Sequence, residues 1–144
     1  MKESIVMANT PLLTHVDWDK KSTLKILAVD DDAMNQQLFP ALLSKMGYAC
    51  TVVKNGQEAI DLVLQEPFDI IFMDMHMPII DGLEATRQIR SALQTPEVPV
   101  IIALTANNFA EEKEHCLAAG MNDFMTKPYR IANMQQLLDK WTKA

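Results

Sequence analysis

The stretch Ile70–Arg90, IIFMDMHMPIIDGLEATRQIR, decides the fold. An apolar run over Asp69–Met73 stops at a single carboxylate, Asp74; Pro78 and Gly82 follow, and then an amphipathic pattern resumes. This reads as a buried parallel strand ending at Asp74, a loop, and a helix starting near Gly82. Ligands and reactants gather at the carboxyl ends of strands in an open α/β sheet, so an acid there is placed for chemistry. A lone aspartate at such a point is better read as a capping or loop residue. Asp74 is not alone.

Outward from this unit the same grammar repeats. Lys25–Val29 (KILAV) is a short apolar strand that runs straight into Asp30, Asp31 and Asp32. A helix is expected over Ala33–Met46, with Leu38, Leu42, Leu43 and Met46 inward and Gly47 closing it. Pro40 lies inside that pattern, where it removes a backbone donor and predicts a kink or a locally open turn. Ala49–Val53 is the second strand. Asn55 with Glu58, and Asp81 with Glu84, have the spacing of capped helix starts. The helix after Asn55 turns Ala59, Ile60, Val63 and Leu64 inward, and the helix after Asp81 turns Ala85, Ile89 and Leu93 inward. Val98–Leu104 is a strand apolar almost throughout, ending at Thr105 and Ala106. Asn108 with Glu111 opens a helix to Ala119 with Phe109, Cys116 and Leu117 inside and Gly120 as its stop. Residues 122–126 (NDFMT) form the last strand and Lys127 and Pro128 its exit; Ile131, Met134, Leu137, Leu138 and Trp141 make the clearest helical stripe. Five strands alternating with five helices through short connections imply right-handed crossovers and one parallel sheet covered on both faces.

The chain has 144 residues, of which 49% are apolar, enough for one domain with a sizeable core. Residues 1–23 show neither sustained periodicity nor a cap and read as a tail or linker, with residues 24–144 as the domain. A net charge of -6 with scattered Lys and Arg argues against direct nucleic-acid binding. Cys50 and Cys116 have no metal-like spacing and read as reduced, buried thiols. Ser4–Ala8 is too short for a secretory h-region and nothing approaches a membrane span, so a cytoplasmic domain without membrane contact is expected, alone or as the cytoplasmic part of a membrane-bound sensor kinase.

Asp30, Asp31, Asp74, Thr105 and Lys127 all stand at the carboxyl ends of expected strands, which share one edge of a parallel sheet. Three crowded carboxylates repel, and at least one is pushed toward protonation unless a counter-ion intervenes. Magnesium suits such a site, being satisfied by one or two carboxylates, waters and phosphate oxygens; calcium wants more oxygens, and zinc wants Cys or His, of which only His76 is near. A carboxylate beside magnesium is a usable nucleophile toward phosphorus, forming an acyl phosphate. Lys127, Thr105 and backbone amides are placed to neutralise the phosphoryl oxygens. Met73, Met75 and Met77 read as core and loop packing, and His15 and His115 have no assigned role.

VDDDAMNQQL, MDMHMPIIDG, IIALTAN and FMTKP resemble the receiver domain of two-component response regulators, most of all receivers attached to hybrid sensor kinases in phosphorelays. The likeness covers roughly Leu24 to Trp141, and its ordered motifs are specific. It implies a flavodoxin-like sheet of order 2-1-3-4-5, the order of the family's chemotaxis member. It further implies Asp74 as phosphoacceptor, Asp31 binding magnesium directly (manganese as a substitute), Asp30 binding it through water, and the backbone carbonyl of His76 completing the protein ligands. By the same resemblance Thr105 and the Ala106 backbone amide bind the phosphoryl group, Lys127 pairs with it, Lys127–Pro128 is cis, and Phe124 is the aromatic switch. The implied partner is a histidine kinase or histidine phosphotransfer domain, and the domain itself is a monomer or weak dimer, a signalling acceptor rather than a turnover enzyme. The chain departs from the pattern at His76, where phosphorelay receivers often carry Gln; at Asp32, often Asn, which adds negative charge beside the metal; and at Pro40, on a surface used for docking. His76 is expected to be exposed, with only its carbonyl in use.

Rival readings make different predictions. An aspartyl-nucleophile phosphatase or phosphotransferase typically carries a second Asp two residues on, where His76 stands. A flavin or nucleotide carrier needs a Gly-rich or hydroxyl-rich phosphate loop after the first strand, which is missing. A degenerate receiver acting only as a binding module would take up no phosphate.

Overall fold

Neighbouring residues of the first strand belong to different cores. Ile26 and Ala28 join one apolar cluster while Leu27 and Val29 join another, the period-two signature of a strand covered on both faces. The computed structural model describes residues 24–94, 98–106 and 109–142. The expected tail over residues 1–23, with His15, and the expected cap Asn108 and inward side chain of Phe109 lie outside what it describes.

The elements run β1 (Ile26–Val29), α1 (Ala33–Lys45), β2 (Thr51–Val53), α2 (Gly56–Gln65), β3 (Ile70–Asp74), α3 (Gly82–Leu93), β4 (Val100–Thr105), α4 (Phe109–Ala119), β5 (Asp123–Thr126) and α5 (Ile131–Thr142). All strand pairs are parallel, in the order β2-β1-β3-β4-β5. This is the flavodoxin-like arrangement of five strands and five helices. On one face Ile70, Phe72, Ile102 and Leu104 pack against Phe39 and Leu43 of α1 and Met134 and Leu138 of α5. On the other, Ile71, Met73, Ile101 and Ala103 pack against α2, α3 and Cys116 of α4. Met73, Met75 and Met77 are buried, as their packing role requires. Among the described residues no helix is long and apolar enough to cross a membrane.

The helix starts follow the side chains that cap them. Asn55 accepts from the Glu58 amide at 2.8 Å, and the Glu58 carboxylate in turn accepts from the Lys54 amide at 2.8 Å. Asp81 accepts from the Glu84 amide at 2.9 Å. These bonds satisfy backbone donors at and just before the helix starts. Gly47 has φ of 90° and Gly120 of 108°, the left-handed conformation expected at those two helix stops.

Some inward assignments fail. Leu38 is 37% exposed, and the buried residue of α1 is its neighbour Phe39, because the inward stripe runs Phe39, Leu43, Met46 at helical spacing. Leu64, Leu117 and Ile131 lie on the outer margins of their helices and are exposed. Pro40 does not break α1, which is continuous from Ala33 to Lys45. Cys50 is half-buried and precedes β2 rather than lying in it. The strands are also shorter than the apolar runs: β2 starts at Thr51 and β4 at Val100, after a cis Val98–Pro99 bond.

Candidate functional site

The register of the sheet assembles the site. Val29 of β1 pairs with Met73 of β3, so the next residues, Asp30 and Asp74, leave the sheet side by side. Asp74 is in register with Leu104, and Thr105 with Thr126, so β4 and β5 deliver Thr105 and Lys127 to the same edge. The Lys127 amide donates to the Thr105 carbonyl at 2.8 Å, which fixes where the last strand turns away. The Lys127–Pro128 bond is cis.

Among the described residues Asp30, Asp31 and Asp74 each offer one carboxylate oxygen to a group in which these three atoms lie within 4.8 Å of one another. Asp30 and Asp74 are buried and Asp31 is exposed. Asp30 is held on every side: its oxygens accept from the Asp32 amide at 2.9 Å and from Asn35 Nδ2 at 3.1 Å, and its carbonyl accepts from Gln36 Nε2 at 2.9 Å. Asp74 Oδ1 accepts from the His76 amide at 3.2 Å. Burial is the largest influence on Asp74 and pushes its carboxyl up to about 6; the His76 amide and the Lys127 charge oppose the rise, while Asp30 and Asp31 add to it. Burial likewise raises Asp30, against the Asp32 amide, Lys127 and Asn35. The crowding inferred from sequence is therefore real, but loss of water outweighs repulsion between the carboxylates.

A donor set of three carboxylates suits a hard divalent cation such as magnesium. Asp31, exposed, is available to such an ion directly. Asp30 is buried with both oxygens already accepting hydrogen bonds, which suits contact through water.

The remaining candidates surround this group. Thr105 is buried at the end of β4, Ala106 follows it at the surface, and Phe124 on β5 is 38% exposed. The His76 side chain is 70% exposed, with Nε2 4.0 Å from Glu112 of α4. The Asp32 side chain accepts from the Met34 amide at 2.8 Å and caps α1, a role not read from the sequence.

Two further contributors had not been singled out from sequence, and a third, Gly82, had been read only as a helix start. Asn35 and Gln36 stand in the first turn of α1 and reach back to Asp30, a role whose sequence signal is the polar run Asn35–Gln37 after Ala33 and Met34. Gly82 is required by contact: a Cβ there would lie 2.2 Å from the Asp74 carbonyl oxygen. Its amide donates to the Met75 carbonyl at 3.2 Å, so the start of α3 is locked onto the end of β3.

The sequence model of the response regulator receiver domain matches residues 26–139. The chain is 40% identical over 120 residues to the sensor protein GacS of Pseudomonas syringae pv. syringae, covering 82% of this chain and 13% of that protein. Against the curated relatives first matched, it spans between 6% and 15% of their length. It superposes with a TM-score of 0.74 and 38% identity on the receiver domain of sensor histidine kinase PA1611 from Pseudomonas aeruginosa PAO1, covering 84% of this chain and 98% of that one; that structure has a magnesium ion coordinated in its active-site cleft. It also resembles the receiver domain of Saccharomyces cerevisiae Ssk1, crystallised with the histidine phosphotransfer protein Ypd1, at a TM-score of 0.76 and 31% identity, with 83% of this chain and 88% of that one covered.

Proposed function

We propose a function that starts from one fact: the chain belongs to the response regulator receiver family, the receiver domains of two-component and phosphorelay signalling. In our reading Asp74 is the phosphoacceptor and takes its phosphoryl group from a partner's phosphohistidine, supplied by a histidine kinase or a histidine phosphotransfer domain. A carboxylate oxygen of Asp74 forms the new bond to phosphorus as the bond from phosphorus to the imidazole nitrogen breaks, and the imidazole leaves with the bonding pair and takes up a proton.

The observation that carries this reading is the meeting of Asp30, Asp31 and Asp74 within 4.8 Å at the strand ends. Asp31, Asp74 and the His76 carbonyl would hold magnesium, or manganese in its place, with Asp30 acting through water. The bound ion supplies charge neutralisation to the phosphoryl oxygens and makes ionised Asp74 favourable. Thr105 and the Ala106 amide would bind the phosphoryl oxygens, with Lys127 as their counter-charge. Phe124, half out of the surface on β5, would turn inward as Thr105 closes on the phosphoryl group, shifting the population toward an active shape. The product is an altered surface rather than a released molecule, so the domain acts as a signalling acceptor. The likeness to receivers of hybrid kinases and to the Ypd1-bound receiver supports the choice of partner.

The test is incubation with a small-molecule phosphodonor and magnesium, read by intact mass. One added phosphoryl group is expected, missing in Asp74→Asn and missing in EDTA. Equal labelling of the variant would assign the acceptor elsewhere.

A further inference from the structure

Ile79 holds a backbone conformation that isoleucine resists. Its φ is 73°, in the left-handed region where a β-branched side chain crowds the main chain. The Ile80 amide donates to the Pro78 carbonyl at 2.8 Å, so Ile79 is the centre of a tight turn of the rare, strained kind. Its neighbours explain the turn. Ile80 packs against the core on the α2 side, its Cγ2 3.1 Å from where a Cβ on Gly56 would stand, and Asp81 caps α3. They do not explain isoleucine in it, since glycine or asparagine takes the same φ at little cost. Packing does not explain it either, because Ile79 is 99% exposed.

The place of the side chain supplies the reason. The loop that carries it is closed at its base: the His76 amide donates to Asp74 Oδ1 at 3.2 Å, and the Gly82 amide to the Met75 carbonyl at 3.2 Å. Ile79 therefore stands out from a short, pinned loop that begins and ends beside Asp74. On the β1 side of the acidic cluster, Met34 is 80% exposed in the first turn of α1; its amide donates to Asp32, whose own amide donates to Asp30. Ile79 and Met34 are the most exposed large apolar side chains among the described residues, and both follow on the strand ends that carry the acids. Asp74 is 3% exposed, so a phosphohistidine reaches its carboxylate only if the protein surface around that histidine settles over this edge. A small phosphodonor brings no such surface. Burying an isoleucine side chain shifts a binding equilibrium about ten-fold or more, and a side chain already fixed in place loses little freedom on contact.

We propose that Ile79 is an apolar anchor for the protein that delivers the phosphoryl group: held outward by the strained turn, it packs into an apolar patch beside the phosphohistidine of a histidine phosphotransfer protein. This rests on the reading of Asp74 as phosphoacceptor. The test compares the full chain with Ile79→Asn in magnesium, using acetyl phosphate and the phosphorylated histidine phosphotransfer protein Ypd1 as donors, with urea unfolding alongside. Asparagine accepts the positive φ and removes the apolar contact. Labelling by acetyl phosphate is expected to be unchanged, transfer from sub-saturating Ypd1 to slow about ten-fold or more, and the unfolding midpoint to stay level or rise. Equal transfer from Ypd1 to both chains overturns the inference. So does equal slowing with both donors, or a lower midpoint for the variant, either of which would make Ile79 a structural element of the loop. A wild-type chain labelled by acetyl phosphate and not by Ypd1 overturns the partner named here, whereas one labelled by neither overturns the phosphoacceptor reading, and this inference with it.

Discussion

Replacing Asp74 by Asn is expected to strengthen the cation-free fold, and the size of the effect can be worked from the site. Asp74 is 3% exposed, and its carboxyl rises from 3.8 to about 6, through burial first and the neighbouring acids after it. At about 1.4 kcal/mol for each pH unit between the unfolded and folded values, the ionised carboxylate costs about 3 kcal/mol of stability at neutral pH. Below 3.8 the group is protonated in both states and costs nothing. Between 3.8 and 6 the unfolded chain releases its proton first, so stability falls as pH rises, and above 6 the full cost applies. Asparagine keeps an oxygen for the His76 amide, now a bond to a neutral acceptor, and carries no charge to desolvate or to be repelled by Asp30.

The net gain for the variant should be about 1–3 kcal/mol at pH 7.5 in EDTA, shrinking toward zero at pH 4. Urea unfolding of both proteins at the two pH values measures it, with a higher midpoint and an unchanged slope expected for the variant. Magnesium should then stabilise wild type more than the variant, because the ion binds only the folded cluster and the variant has one carboxylate fewer. A variant no more stable than wild type at pH 7.5 in EDTA would refute the argument that the site strains the fold electrostatically.

The other expectations concern the scaffold around the acids. Gly82→Ala forces a Cβ to within 2.2 Å of the Asp74 carbonyl, so backbone must shift. It should lose about 2 kcal/mol or more in urea unfolding and slow phosphorylation of Asp74 as well. Asp32→Ala removes the α1 cap and should lower stability by about 1 kcal/mol in urea unfolding. Phe39→Ala empties a fully buried site between Phe72 and Tyr129 and should lower stability by about 3–5 kcal/mol in the same assay.

The sheet and the acidic edge were legible because each part is announced locally. An apolar run followed at once by Asp30, Asp74 or Thr105 marks both a strand and the end at which its side chain emerges, and parallel topology brings those ends together without knowledge of the partner strand. Residues whose role depends on the partner were not legible in that way. Leu38 and Phe39 are equally apolar neighbours, and which one faces inward depends on how α1 is rotated against the sheet. Asp32 reads as one more charge beside the metal, and its bond to the Met34 amide, which caps α1, shows only in the backbone geometry. Gly82 reads as a helix start in the sequence, whereas its need for no side chain comes from the Asp74 carbonyl eight residues back.

That division follows from what each kind of residue has to satisfy. A core side chain needs only an apolar environment, which several rotations of a helix can provide, so sequence leaves it ambiguous by one position. A carboxylate at a strand end needs compensation from specific donors, and here the compensation is incomplete: Asn35, Asp32 and His76 supply hydrogen bonds, Lys127 supplies charge, and Asp74 still rises to about 6. Selection for stability alone would remove that conflict, since neutral side chains at the same positions would lift it. Asp30 and Asp74, held beside Asp31 against their own desolvation, fit the proposed function, in which a cationic ligand and an anionic group meet the folded protein at this edge.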